Sequence, residues 1–198
     1  AGSGSSVYKL FFNAPSTLLQ PSASMRPAAV ALIAAIASCT LHVPVAGAQD
    51  AKTGVLATLD AKSAHYAGIA KQIWGFAEVG YQEYKSSPLL RGELADAGFK
   101  VESNVAGMPT AFTATYGSGK PVIAIVGEFD ALPGLSQAAL PDKKVIVDGG
   151  PGHGCGHHLF GTASVAAAIA VKNWMAANRI AGTLRFYGTP AEEGGGGK

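Results

Sequence analysis

Leu159 to Ala177 is an almost unbroken apolar run of helical length, and Pro151-Gly152-His153-Gly154-Cys155-Gly156-His157-His158 leads directly into it. A helix that is apolar on nearly every side must be buried between other layers. The loop in front of it gathers three histidines and a cysteine into eight residues. Imidazole and thiolate are the ligand types of zinc-like ions. The fold must therefore bury this helix and leave its N-terminal loop open at one end.

The segments around it supply the burying layers. Leu59 to Ala77 has helical spacing, with Ile69, Ile73, Trp74 and Ala77 on one face. Ser86-Ser87-Pro88 reads as a cap and first turn, and the helix it opens runs to Gly98. Phe99 to Ser103, Ala111 to Tyr116 and Pro121 to Val126 read as strands. The last of these is apolar on both faces, the pattern of a central strand. Gly182 and the strand Thr183 to Tyr187 follow the apolar helix. Helices alternating with apolar strands predict an α/β fold with a mainly parallel sheet flanked by helices. Gly127-Glu128-Phe129-Asp130, the His/Cys loop and Glu192-Glu193 all fall at strand or helix ends. In open α/β sheets, ligands gather outside the carboxyl ends of the strands.

Of the 198 residues, 48% are hydrophobic and the net charge is +2, a globular composition rather than a disordered one. No Lys/Arg stripe is present, so a nucleic-acid partner is not expected. Met25-Arg26, the apolar stretch Ala28 to Leu41 and the small-residue site Ala46-Gly47-Ala48 occur in the order of a secretory signal peptide over 25–48. The apolar stretch is too short for a stable membrane span. Export to a bacterial periplasm is the expectation. A second exported reading takes Ile36-Ala37-Ser38-Cys39 as a lipobox with Cys39 lipidated. Residues 1–24 then read as an upstream leader, and 49–198 as the mature part. The two cysteines, Cys39 and Cys155, lie in such different contexts that a disulfide is not expected.

Cys155 and His157 lie two apart among glycines that let the backbone bend, so both can face one metal ion. His153 and His158 are either further ligands or supports for the ligands. Adjacent glutamates at a strand end point in different directions. One of Glu192 and Glu193 can bind metal while the other moves protons. Asp130 sits in apolar company between Phe129 and Ala131, where a carboxylate needs a partner such as a ligand imidazole. Glu128 is similar, with a weaker signal. His65 reads as a solvated side chain, and Trp74 and Trp174 as core.

Trp74-Gly-Phe-Ala-Glu-Val-Gly-Tyr, Gly127-Glu-Phe-Asp-Ala-Leu-Pro-Gly-Leu-Ser-Gln, Gly152-His-Gly-Cys-Gly-His and Gly188-Thr-Pro-Ala-Glu-Glu-Gly resemble, in this order, the metal-dependent amidohydrolases of the aminoacylase, carboxypeptidase and auxin-conjugate hydrolase group. The resemblance covers roughly residues 55–198. It implies a zinc-peptidase-like α/β domain holding two divalent metal ions, zinc or manganese. Cys155 and His157 match the Cys-x-His ligands, Glu193 a metal ligand, Glu192 the general base and Asp130 an acidic residue that supports the site. The implied substrate is a small N-acyl or N-aroyl amino acid such as p-aminobenzoyl-glutamate; a dipeptidase or carboxypeptidase activity, or a non-catalytic metal-binding partner subunit, are the alternatives. Glu128 stands where other branches carry a metal-binding His, and His158 where Asp or Asn is usual. Family members continue for a few hundred residues beyond the Glu pair, with further ligands and a dimerisation domain. The resemblance thus implies the N-terminal half of a catalytic domain, inactive in isolation, from a homodimer or hetero-oligomer.

Overall fold

The computed structural model describes residues 46–198. The leader over 1–24, the body of the signal-peptide segment and Cys39 lie outside the described residues. Ala46–Ala48 form the first turn of helix α1, Ala46–Ala61. Helix α2, Ser63–Phe76, follows after Lys62 and ends at Ala77, whose backbone is left-handed. The single helical stretch expected up to Ala77 is therefore broken at Lys62. Helix α3 spans Ser86–Asp96 and stops before Gly98. Its first turn is capped from a distance, because the Glu78 carboxylate accepts the Lys85 and Ser86 amides and the Ser86 hydroxyl at 2.8–3.1 Å.

Strands β1, Lys100–Ser103, β2, Phe112–Ser118, β3, Val122–Glu128, and β4, Gly182–Thr189, form one sheet in the order β1-β2-β4-β3. Helix α4, His157–Asn178, is the apolar helix of the sequence and connects β3 to β4. The α/β class and the helix-flanked sheet agree with the sequence. The sheet is mixed rather than mainly parallel: β3 and β4 pair in parallel, whereas β1 with β2 and β2 with β4 run antiparallel. The reason lies in connection length. The β3–β4 link contains a helix and can return the chain to the same end of the sheet, while the short β1–β2 link reverses it. The sequence also placed β3 in the centre. Among the described residues β4 is central and β3 is an edge strand with Val122, Ile123 and Val126 exposed.

The core is formed by Ile69 and Ile73 of α2, Leu90 and Leu94 of α3, Phe112, Leu184 and Phe186 of the sheet, and Val165, Ala168 and Ile169 of α4. Phe112 and Phe186 stack at 5.8 Å between ring centres. Helix α4 is long and apolar enough to cross a membrane, yet Val165, Ala168, Ile169 and Met175 are buried in this core, while Leu159 and Phe160 in its first turn are exposed. Trp174 packs against the core as expected. Trp74 does not: it is half-buried and lines a cavity of ≈ 610 Å³ with Phe76, Leu135, Leu140, Ile146 and His153. His65 is exposed, and its Nε2 lies 2.8 Å from Glu93 Oε2.

Candidate metal centre

The parallel pair β3–β4 runs in register from Val122↔Thr183 to Glu128↔Thr189, so the two strands end side by side. The predicted site residues enter the same space from the strand ends: Glu128 closes β3 and Asp130 follows it, and Glu192 and Glu193 follow β4. The first turn of α4 brings His157 between them, and Cys155 lies in the loop just before it.

His157 is the hub. It is buried, and its Nδ1 lies 2.9 Å from Asp130 Oδ1. Asp130 is itself buried, and its other oxygen accepts the Glu193 amide at 2.9 Å. With Nδ1 held in this way, the free Nε2 faces Glu128 Oε2 at 3.1 Å and Glu192 Oε2 at 3.8 Å. A carboxylate that fixes one imidazole nitrogen leaves the other correctly turned as a ligand.

Two donor groups follow. The ligand atoms of Cys155, His157 and Glu193 lie within 4.8 Å of one another, as do those of Glu128, His157 and Glu192. Glu193 Oε1 is buried and has no hydrogen-bond partner. It lies 3.7 Å from His157 Nδ1, too far for a hydrogen bond, and a buried oxygen left so is costly unless a cation or water meets it. Thiolate, imidazole and carboxylate together form a donor set suited to a zinc-like ion, so these residues fit a divalent metal.

The electrostatics agree. Desolvation, followed by the neighbouring Glu193, Glu192 and Glu128 carboxylates, raises the Cys155 thiol above its usual range. Such a thiol gives up its proton when a cation enters. Cys155 is exposed and is a free thiol, reachable from solvent. Lys198 Nζ lies 2.9 Å from Glu128 and 2.7 Å from Glu192, and supplies the positive charge that this carboxylate pair needs. Its hydrogen bond is the main cause that holds Glu192 below the ordinary carboxylate range. The two carboxylates raise Lys198 in turn.

The structure thus brings Glu192, Asp130, Cys155, His157 and Glu193 together. Glu128, the weaker candidate from sequence, belongs to the same cluster through His157 and Lys198. His153 and His158 stand apart from both donor groups. Their rings contact each other at 4.9 Å, and His153 Nε2 bonds the Ile73 carbonyl at 3.1 Å. Burial, with repulsion from its neighbour, lowers His153 to about 4, and burial likewise lowers His158. Both are therefore neutral near pH 7.

Sequence reasoning missed Glu83. It is fully buried; one carboxylate oxygen accepts the Thr110 hydroxyl at 2.6 Å and the other the Ala191 amide at 2.9 Å. Burial raises its pKa, partly offset by these bonds. A glutamate in the polar run Tyr81-Gln82-Glu83-Tyr84-Lys85 carries no sequence signal of burial. Lys198 was missed as well, since one lysine after four glycines reads as a solvated charge.

The comparison with known proteins is decided by the same segments. Residues 124–198, which hold every donor of both groups, match the model for peptidase family M20/M25/M40. This part of the chain is similar to that family. The chain is 50% identical to a subunit of the p-aminobenzoyl-glutamate hydrolase of Escherichia coli (strain K12), over 71% of this chain and 29% of that protein. It is 34% identical to thermostable carboxypeptidase 1 of Saccharolobus solfataricus, over 65% of this chain and 32% of that protein. Among solved structures, a Bacillus subtilis protein described as a dinuclear metal-binding peptidase of the M20 family superposes with a TM-score of 0.55 and 30% identity, over 68% of this chain and 36% of that one. The chain thus spans about a third of the length of each of these relatives.

Proposed function

We propose that the protein is a metal-dependent amidohydrolase that cleaves the amide bond of small N-acyl or N-aroyl amino acids, with p-aminobenzoyl-glutamate the leading candidate. The observation that carries this reading is the convergence of Cys155, His157, Glu193, Glu128 and Glu192 on one space at the ends of β3 and β4. Half-identity to part of a p-aminobenzoyl-glutamate hydrolase supports the substrate.

In this reading Cys155, His157 and Glu193 hold one divalent ion, zinc or manganese, and Glu128 contributes toward a second. When bound, such ions polarise an amide carbonyl and acidify water. The chain's own residues then do the following. Asp130 holds Nδ1 of His157 and the amide of Glu193, so that both ligands are oriented before any ion arrives. Glu192, kept ionised by Lys198, takes a proton from water and passes it to the departing amine nitrogen. His157 Nδ1 is held by Asp130 and lies 3.7 Å from Glu193, while Nε2 faces Glu128 and Glu192, so the one imidazole borders both donor groups. Export through a signal peptide over 25–48, and assembly into a homodimer or hetero-oligomer, belong to the same proposal; that the Escherichia coli relative is one subunit of its hydrolase supports the latter.

The test is an assay of the native open reading frame encoding this chain, expressed to its natural stop, with p-aminobenzoyl-glutamate and a panel of N-acyl amino acids and dipeptides under added zinc or manganese. Glu192→Gln is expected to lower kcat by about 10²–10⁴-fold with metal content unchanged, the range of general acid–base catalysis. Unchanged turnover in Glu192→Gln would remove the assigned base. Turnover confined to peptides would favour a carboxypeptidase or dipeptidase, as the Saccharolobus solfataricus relative has it by name.

A further inference from the structure

The amides on either side of Glu192 each donate to a buried carboxylate. Glu193 N–H donates to Asp130, and Ala191 N–H donates to Glu83 at 2.9 Å. Only the first of these carboxylates belongs to the metal centre. Ala191 is buried and left-handed, with φ 55°, a conformation that a residue with a Cβ adopts only when its surroundings enforce it. Its carbonyl accepts the amides of Gly195 and Gly196, both at 2.8 Å, so Ala191 shapes the whole turn that carries the Glu pair.

A strap from the segment before α3 clamps this turn. Gly80 packs so closely that a Cβ there would stand 2.7 Å from the Ala191 Cβ. The Tyr81 hydroxyl donates to the Gly195 carbonyl at 2.8 Å. The Ala131 amide donates to the Glu78 carbonyl at 2.8 Å, which ties the same strap to the segment carrying Asp130. Glu83 alone in this strap places a charge-bearing side chain on the turn, while Thr110 holds its second oxygen.

We propose that Glu83 is a positioning residue: through the Ala191 amide it sets the direction in which Glu192 and Glu193 leave β4, and so the geometry of the metal centre. This rests on the proposed function for its kinetic consequence, but not for its structural one. A carboxylate on a backbone amide is a strong, directional bond, and its burial removes the competing water.

The experiment uses the full gene product with cobalt(II) as the probe ion, following the thiolate-to-cobalt absorption by titration, and measures kcat and KM alongside. Glu83→Asp keeps the charge but falls one methylene short of Ala191. It is expected to weaken cobalt binding by about 10–100-fold, as loss of an outer partner of a ligand does. It is also expected to lower kcat by about 100-fold with little change in KM, as a displaced catalytic group does. Glu83→Gln keeps the length and an acceptor for Ala191, and should restore both within about threefold. Thr110→Val removes the other partner and should lower thermal stability while leaving cobalt affinity and kcat within about threefold.

Wild-type cobalt affinity in folded Glu83→Asp would overturn the inference, as would a Thr110→Val variant that falls as far as Glu83→Asp. Hydrogen exchange of the wild type decides the matter without any variant: the Ala191 amide should be protected like those inside β4, and fast exchange there contradicts the proposal. A wild type that binds cobalt but hydrolyses no amide would sink the proposed function and leave the cobalt and exchange results to decide this one.

Discussion

Strands β3 and β4 are parallel neighbours of similar length, and β3 is the more apolar in sequence, yet β3 is the less buried of the two. Along β4 the positions from Gly182 to Thr189 are buried or nearly so, and Phe186 is fully enclosed. On β3, Val122 and Ile123 are more than half exposed, and burial begins only at Gly127 and Glu128. The two strands become alike where the site begins. Apolar content says that a strand can be covered; neighbours decide whether it is. The proposed metal centre calls for enclosure at the carboxyl ends, and there both strands have it.

That contrast can be broken at four places. The largest effect is expected in the body of β4. Phe186→Ala removes a ring stacked on Phe112 and should cost about 3–5 kcal/mol by chemical denaturation. A loss below about 1 kcal/mol would mean that β4 is not the centre of the core. Next comes the shared carboxyl end. His157→Ala should weaken divalent-metal binding by more than about 100-fold, beyond the range for outer partners of a ligand. Calorimetric titration checks this, and a smaller effect would detach His157 from the centre. Where the strands meet, Gly127→Ala would put a Cβ 2.5 Å from the Phe186 ring and should cost about 1–3 kcal/mol by overpacking. A neutral outcome in thermal denaturation would show the two strands freer to separate than their register implies. Smallest is Ile123→Thr on exposed β3, expected to change stability by no more than about 0.5 kcal/mol. A loss several times larger would show that this face is covered in the assembled protein.

Much of the architecture was legible in the sequence, for reasons that particular residues make plain. The apolar helix announced itself because α4 has to fill the space beside the sheet. The four strands lay within a residue or two of their expected ends. The break at Lys62 was invisible, since helical spacing continues across it. The place of β3 was misread because Ile123 and Ile125 are equally apolar in an edge strand and a central one. In the candidate site, type and spacing pointed to Cys155, His157 and the Glu pair, and the structure brings their side chains together. Asp130 was legible from its apolar neighbours, and the structure gives it the expected imidazole partner. Glu83 was not legible. Its burial depends on Thr110 and Ala191, which lie 27 and 108 positions away in sequence. Glu128 was underrated for a related reason: its meaning comes from His157 and Lys198, not from its own neighbours.

The central claim is that the ends of β3 and β4 form a divalent-metal site in which the Cys155 thiolate is a ligand. The most direct measurement is a cobalt(II) titration of the metal-free protein followed by absorption, with Cys155→Ser alongside. The prediction is saturable binding with a thiolate-to-cobalt charge-transfer band in the wild type that is absent in Cys155→Ser. Cobalt bound without that band, or with a spectrum that Cys155→Ser leaves unchanged, would contradict it.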